Sequence, residues 1–461
     1  MKRWSSLLLE AIRGSDRDYT TGPVGPALVM LAVPMVLEMA MESLFAVVDV
    51  FYVSRVSAEA VATVGITESI LMIVYTVALG LGIGAMAVVS RRTGEKDDEG
   101  AAQAAAQAIA LGLLLALAIG VVGYLNAEAL LRWMGATDSM LASSLGYSRV
   151  MFAGNATVTL LFLNNAIFRG VGDPAIAMRM LWLGNAINIA VCPMLIFGAG
   201  PIPAMGVTGA AIGTNIGRGT AVLMQVWMLT SGRSRLQIQR RHMRLSPAFM
   251  WTVCRLSGSG FLQILIDTSS YIGLIRVVST FGSDALAGYT IAFRTMMFAL
   301  MPAWGLGNAA ATMVGQALGA GQPERAERSV WTAGKYNAVV LGAVGVVFMV
   351  LAKPIVGIYT TDPAVASFAI NCLQTVSAVF VFFGYGLVFT QAFNGAGDTW
   401  TPTWLNLGCF WFWQIPLAWL LAIEWAMGPS GVFIAMTVAF STLAVASGVI
   451  FRRGRWKQSK V

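Results

Sequence analysis

Residues 36–53 read VLEMAMESLFAVVDVFYV. The run is apolar enough and long enough to cross a bilayer as a helix, yet it holds Glu38, Glu42 and Asp49. Each helical residue advances by about 100°, so these acids fall within about 40° of one another, and Phe45 shares their stripe. From Glu38 to Asp49 the stripe covers about 16 Å, roughly half the hydrocarbon thickness. Such a stripe cannot face lipid. It belongs against a water-filled cavity or the interior of a helix bundle. Carboxylates in that setting can take up and release H⁺ near neutral pH, or bind Na⁺.

The rest of the chain is of the same kind. Of its 461 residues, 57% are hydrophobic and 11% charged, with a mean hydropathy of +0.72. A soluble domain carries about 25% charge. The apolar runs, about 20 to 30 residues long, suit spanning helices rather than barrel strands. Twelve spans are predicted, centred near residues 40, 75, 112, 155, 187, 218, 265, 300, 340, 380, 412 and 440. The breaks between them carry turn chemistry, as in RRTGEKDDEG, RGVGDP, GAGQPERAERS and NGAGDTWTP.

The formal charge is +8. The basic residues gather in alternate loops, on the side of the N-terminal tail with Lys2, Arg3, Arg13 and Arg17. The opposite loops hold little beyond Arg55, Arg132 and Lys353. The positive-inside rule therefore puts both termini in the cytoplasm of a cell inner membrane. The basic clusters are short and lack interleaved aromatics, which argues against a nucleic-acid platform. The N-terminal tail has no signal-peptide core. It reads either as a short interfacial helix around Trp4, its leucines and Ile12 or as a frayed tail. Cys192, Cys254, Cys372 and Cys409 show no paired or metal-type spacing and read as structural thiols. A single histidine, His242, rules out a histidine relay or a multi-histidine metal site.

An internal repeat organises the chain. FRGVGDP at 168–174 and FNGAGDT at 393–399 place Asp173 and Asp398 at an offset of 225 (398 − 173). The same offset links Gly80 and Gly82 to Gly305 and Gly307, and Gly94 to Gly319. The expected organisation is a tail (1–24), a six-span N-lobe (25–230), a basic linker (231–245), a six-span C-lobe (246–452) and a second tail (453–461). The fold class is therefore all-α integral membrane, with twelve transmembrane helices in two pseudo-symmetric lobes. Each lobe has an even number of spans, so the symmetry axis follows the membrane normal. The offset carries Glu42 onto Asp267, Glu38 onto Gln263 and Asp49 onto Leu274.

These acids are the first candidates for chemistry, with Glu68 of the second span beside them. The structural alternative pairs them with intramembrane Arg149, Arg276 or Arg294, or sets Asp49 at the outer interface near Arg55. Asn185 and Asn188 of the fifth span either join helices or ligate a cation through their carbonyls. Pro34, Pro193, Pro302 and Pro416 are either hinges or ordinary packing. Phe45, Phe152, Phe162, Met296, Tyr385 and Trp413 are candidates to line a cavity for an apolar or cationic substrate, against the alternative of core packing. Glu424 reads as solvated. No nucleotide-binding loop, catalytic triad, zinc motif or dinucleotide fingerprint is present, which argues against an enzyme and against any cofactor beyond a coupling ion.

At this point the chain resembles the multidrug and toxic compound extrusion (MATE) family. The resemblance rests on PMVLEMAMESLFAVVDVFYVSRVSAEAVATVG, on RGVGDP, on AGYTIAFRTMMFALMPAWGLGNAAATMVGQALGAGQPERA and on FNGAGDTWTP. It implies a V-shaped bundle of two six-helix lobes that exports organic cations and drugs in exchange for H⁺ or Na⁺. Asp49 then matches the family's first-helix aspartate and Asn188 its fifth-helix asparagine. Cys192 stands where the family has an aspartate. Asp267 matches the seventh-helix acid of one branch, whose tenth-helix aspartate falls at Phe383. The expectation is a monomeric inner-membrane antiporter for amphipathic, mostly cationic molecules, with membrane lipid as its surroundings. The coupling ion would be held by Asp49, Glu42, Glu38 and Asn188, with Asp267 as the C-lobe acid. H⁺ is favoured because Cys192 removes a Na⁺ ligand. The alternative within the superfamily is a lipid-linked oligosaccharide flippase, which would show arginines in its cavity.

Overall fold

The structure is a computed structural model and describes residues 2–15, 17–244 and 246–459. It is almost wholly helical. Among the described residues there is no β-strand, only an isolated bridge between Ala199 and Ile202. After a short α1 (Lys2–Arg13) come α2 (Val24–Ser54), α3 (Ala58–Gly94), α4 (Asp98–Leu125), α5 (Ala127–Trp133), α6 (Asp138–Ala153), α7 (Asn155–Val171), α8 (Pro174–Phe197) and α9 (Gly206–Ser231). The second half runs α10 (Pro247–Ser279), α11 (Ser283–Gly319), α12 (Pro323–Gly357), α13 (Pro363–Ser377), α14 (Phe380–Ala396), α15 (Trp400–Asn406), α16 (Ile415–Trp419) and α17 (Pro429–Arg452). Among the described residues nine helices are long and apolar enough to span, and two bent pairs bring the number to eleven. The twelfth expected span is α9, 26 residues long, which carries Arg218 in its interior.

The bent pairs are the fourth and tenth spans. They are the spans expected near 155 and 380. The axis turns by 43° between Leu145–Ala153 and Asn155–Val171, and by 60° between Pro363–Ser377 and Phe380–Ala396. Backbone groups freed by a bend at membrane depth need new partners. Asn155 Nδ2 donates to the Phe152 carbonyl at 2.8 Å, and Asn215 Nδ2 to the Val150 carbonyl at 3.2 Å. In α12 the backbone leaves helical geometry at Leu351, three residues before Pro354. The proline ring and its missing N–H disturb that turn. The eleventh span contains two π-helical stretches, Leu407–Gln414 and Leu420–Glu424.

The chain forms two compact units. The N-terminal unit holds Leu9–Arg17 and Leu37–Gly258. The C-terminal unit holds Met1–Leu8, Asp18–Val36 and Ser259–Val461. The division passes through α2 after Val36 and through α10 after Gly258. Within each unit a glycine lets the incoming piece of helix lie close. A Cβ on Gly305 would meet the Val36 nitrogen at 2.7 Å, and one on Gly84 would meet the Ser257 nitrogen at 2.9 Å.

The repeat is built into the backbone. α7 ends at Gly172 with φ +89° and α14 at Gly397 with φ +83°. In both, the following aspartate N–H returns to a phenylalanine carbonyl, Asp173 to Phe168 at 2.8 Å and Asp398 to Phe393 at 3.0 Å. This six-residue closure around a left-handed glycine is the Schellman cap. The basic linker ends in a short 3₁₀ turn, Arg240–Met243. There the buried His242 accepts from the Gln239 N–H at 3.1 Å through Nδ1 and meets Glu99 at 2.7 Å through Nε2. Gln107 holds the carbonyls of His242 and Arg244 at 3.1 and 2.9 Å. Cys192, Cys372 and Cys409 are buried, but Cys254 is exposed, so the structural-thiol reading fails for it. It lies on an outward face of α10, where it packs no core.

A side chain at a left-handed position costs about 1–2 kcal/mol. Gly172→Ala and Gly397→Ala are each expected to lose about that much stability. Thermal unfolding of the purified protein measures it, and unchanged midpoints would contradict the shared cap.

Candidate functional site

The second half of α2 faces the inside of the N-terminal unit, and its acids meet partners on α3, α7 and α9. Glu38 is 1% exposed. It accepts a 2.9 Å hydrogen bond from Asn165 Nδ2, and the Arg169 guanidinium lies 3.8 Å from the same oxygen. Asn165 Oδ1 in turn accepts from Gln225 Nε2 at 2.6 Å. The second oxygen, Glu38 Oε2, is buried with no hydrogen-bond partner among the described residues.

One turn further along, Glu42 faces Arg218 of α9. The separation is 3.6 Å, an ion pair rather than a hydrogen bond. The arginine is 6% exposed and the glutamate 15%. Arg218 Nη1 donates to the Tyr75 hydroxyl of α3 at 3.1 Å, and its guanidinium carbon stands 5.0 Å from the centre of the Phe45 ring. A guanidinium over an aromatic face within about 6 Å is held by the ring quadrupole. Arg218 also interacts electrostatically with Asp49 and Glu68. Those two acids interact with each other, and Glu68 also interacts with Tyr147 of α6.

The fifth-span residues stand beside this column. Asn188 Nδ2 donates to Thr214 Oγ1 at 3.1 Å and approaches Cys192 Sγ at 3.2 Å. Its carbonyl oxygen, Asn188 Oδ1, is buried without a hydrogen-bond partner among the described residues. Cys192 and Asp49 interact electrostatically. Asn185 reaches the Met41 carbonyl at 3.5 Å.

The arginines expected as alternative partners are elsewhere. Arg149 lies 5.9 Å from the Tyr124 ring centre, and Arg55 stacks on Phe51 at 4.5 Å. Arg276 and Arg294 form no ion pair with an acid among the described residues. The cations that meet the acids are Arg169, which the sequence reading assigned to a loop, and Arg218, which it passed over. Arg169 is buried because α7 runs on through its position to Val171. The signal for Arg218 was present in the repeat. It is a lone arginine inside an apolar span, and Leu443 stands at the related position (218 + 225).

In the C-terminal unit the matching chemistry is sparse. Asp267 accepts a 2.8 Å hydrogen bond from Asn406 Nδ2, at the point where α15 gives way to π-helix. No Lys or Arg forms an ion pair with Asp267 among the described residues. The Gln263 and Asn406 carbonyl oxygens are buried and lack hydrogen-bond partners there. Of the cavity-lining candidates, Phe45 serves Arg218, and Phe162 meets Tyr75 edge-on at 5.8 Å. Phe152 and Met296 are 2% exposed and sit within packed cores. Tyr385 packs with Trp331 and Phe389, while Trp413 is 46% exposed. Glu424 is exposed.

A helical membrane protein with this duplicated cap and acid-bearing first helix has known relatives. Residues 34–194 and 261–420, more than half the chain, match the MatE family. The chain belongs to the MatE family. MatE proteins are membrane transporters, not enzymes, and this MatE chain is a multi-pass membrane protein. It is 27% identical to the "Probable multidrug resistance protein NorM" of Caulobacter vibrioides, over 94% of this chain and 92% of the relative. It is 22% identical to the "FAD transporter" of Shewanella oneidensis, over 94% and 95%. A crystal structure of a MATE protein in complex with MaL6 superposes with a TM-score of 0.89 at 26% identity, covering 96% of this chain and 99% of that one.

Breaking a buried ion pair from one side leaves an uncompensated charge, at a cost of about 3–5 kcal/mol. Arg169→Met and Glu38→Gln each remove one partner and are each expected to destabilise, whereas the double variant should lose less than the sum of the two. Thermal unfolding of the three variants compares them. Strictly additive losses would mean that the two side chains do not act as a pair.

Proposed function

We propose that this MatE chain is an ion-coupled multidrug exporter in a cell inner membrane. It exchanges amphipathic, mostly cationic molecules for H⁺ or Na⁺ by alternating access. The observation that carries this reading is the charge balance of the N-terminal unit. Glu38, Glu42, Asp49 and Glu68 face two guanidinium groups, Arg169 and Arg218. Two negative charges are left over within the bundle, and an imported cation or a pair of protons would neutralise them. The names of relatives such as the Caulobacter protein support a drug-like cargo. The basic loops support cytoplasmic termini.

Asp49 and Glu68 lack a dedicated arginine, so they are the best placed to exchange ions, with the unpartnered Asn188 Oδ1 of the same unit as a neutral oxygen. Asp267 is the C-terminal unit's acid for cargo or ion. Ion binding would favour one access state through its differential affinity for the two states. An anionic cargo, such as that named for the Shewanella relative or the lipid pyrophosphate of a flippase, has weaker support. Each buried arginine of the N-terminal unit already has a carboxylate within 3.8 Å.

Proteoliposomes loaded with ethidium, with pH and Na⁺ gradients imposed separately, test this reading. Export is expected to follow one of the gradients in the wild type. It should fall at least about tenfold in Asp49→Asn, the loss corresponding to about 1.4 kcal/mol of coupling. Asp267→Asn should impair it as well. Unimpaired gradient-driven export in both variants would sink the proposal.

A further inference from the structure

The N-terminal unit already carries a cation among its acids. Arg218 lies in the middle of α9, and each neighbouring element presents something to it. From α2 come the Glu42 carboxylate at 3.6 Å, the Phe45 ring at 5.0 Å and the charge of Asp49. From α3 come the Tyr75 hydroxyl at 3.1 Å and the charge of Glu68. From α6 comes Tyr147, which interacts with Glu68. From α8 come Asn188 and Cys192, tied to α9 through Thr214 and the Ala210 carbonyl. From α7, Arg169 attends to Glu38 instead.

A guanidinium keeps its proton at any physiological pH and is fixed to its helix. It differs in both respects from a metal ion. A hard cation needs several oxygen ligands at once, drawn from carboxylates and carbonyls. Glu42 could join such a shell only by giving up Arg218, which stands 3.6 Å from it, and the charges of Asp49 and Glu68 act on the same guanidinium. A proton makes no such demand, because one carboxylate oxygen is enough.

We propose that Arg218 is the resident counter-cation of this acid column and sets its ion selectivity, so that the column exchanges protons and not alkali cations. This rests on the reading that the N-terminal acids carry the coupling ion. Arg218 acts by occupying and neutralising the site and need not touch the cargo. The two excess negative charges then correspond to up to two exchangeable protons.

The test is Na⁺ binding to the purified full-length chain, followed by calorimetric titration with NaCl against a choline chloride control. No saturable Na⁺ binding is expected in the wild type or in Arg218→Lys. Arg218→Gln should gain saturable Na⁺ binding that the wild type lacks. That gain should vanish in the double variant Arg218→Gln with Asp49→Asn. Thermal unfolding checks that the variants fold. Saturable Na⁺ binding by the wild type overturns the proposal, and this arm stands even if Arg218→Gln does not fold. A folded Arg218→Gln protein without Na⁺ binding overturns it too. The titration needs no transport, so it fails or succeeds independently of the export assay on Asp49→Asn.

Discussion

A guanidinium inside an apolar helix is the constraint around which the N-terminal unit is arranged. Arg218 cannot lose its charge and cannot leave α9. An unpaired buried ion costs several kcal/mol. Two helices answer it at once: α2 with Glu42, Phe45 and Asp49, and α3 with Tyr75 and Glu68. The inward stripe on α2 thereby acquires its counter-charge, which resolves how three acids are housed in a spanning helix. The same contact leaves the column short of positive charge, because one arginine faces three carboxylates. The proposed ion exchange rests on that deficit.

The two halves share a scaffold and differ in chemistry. Both end their fourth-span helix in the same glycine cap, and both admit the incoming helix at a glycine. Yet the repeat offset carries Arg169 onto Asn394, Arg218 onto Leu443, Tyr75 onto Leu300 and Glu38 onto Gln263. Of the four inward acids Glu38, Glu42, Asp49 and Glu68, Glu42 alone keeps an acidic counterpart, Asp267, and that one is met by the amide of Asn406 instead of a cation. Backbone geometry is retained where packing demands it. Charge is concentrated in the N-terminal unit and thinned to a single acid in the other.

The repeat, the spans and the inward acid stripe were legible because apolar length, glycine caps and helical spacing are local properties of sequence. The partners of the acids were not. Arg169 sits next to turn residues and reads as a loop cation, although α7 continues past it and buries it. Arg218 meets Glu42 across 176 positions of chain (218 − 42), and no local pattern announces that contact. The bends at Gly154 and before Phe380 were missed because hydropathy averages over them. The division inside α2 and α10 likewise depends on tertiary packing that no window of sequence contains.

If the column exchanges protons against cargo, the two must compete for one set of charges. The most direct measurement is proton release on cargo binding. The purified protein, in weakly buffered detergent solution with a pH-sensitive dye, is mixed with ethidium. The account predicts that protons enter the solution as ethidium binds, and that Asp49→Asn releases fewer. Ethidium binding to the wild type with no proton release would contradict it.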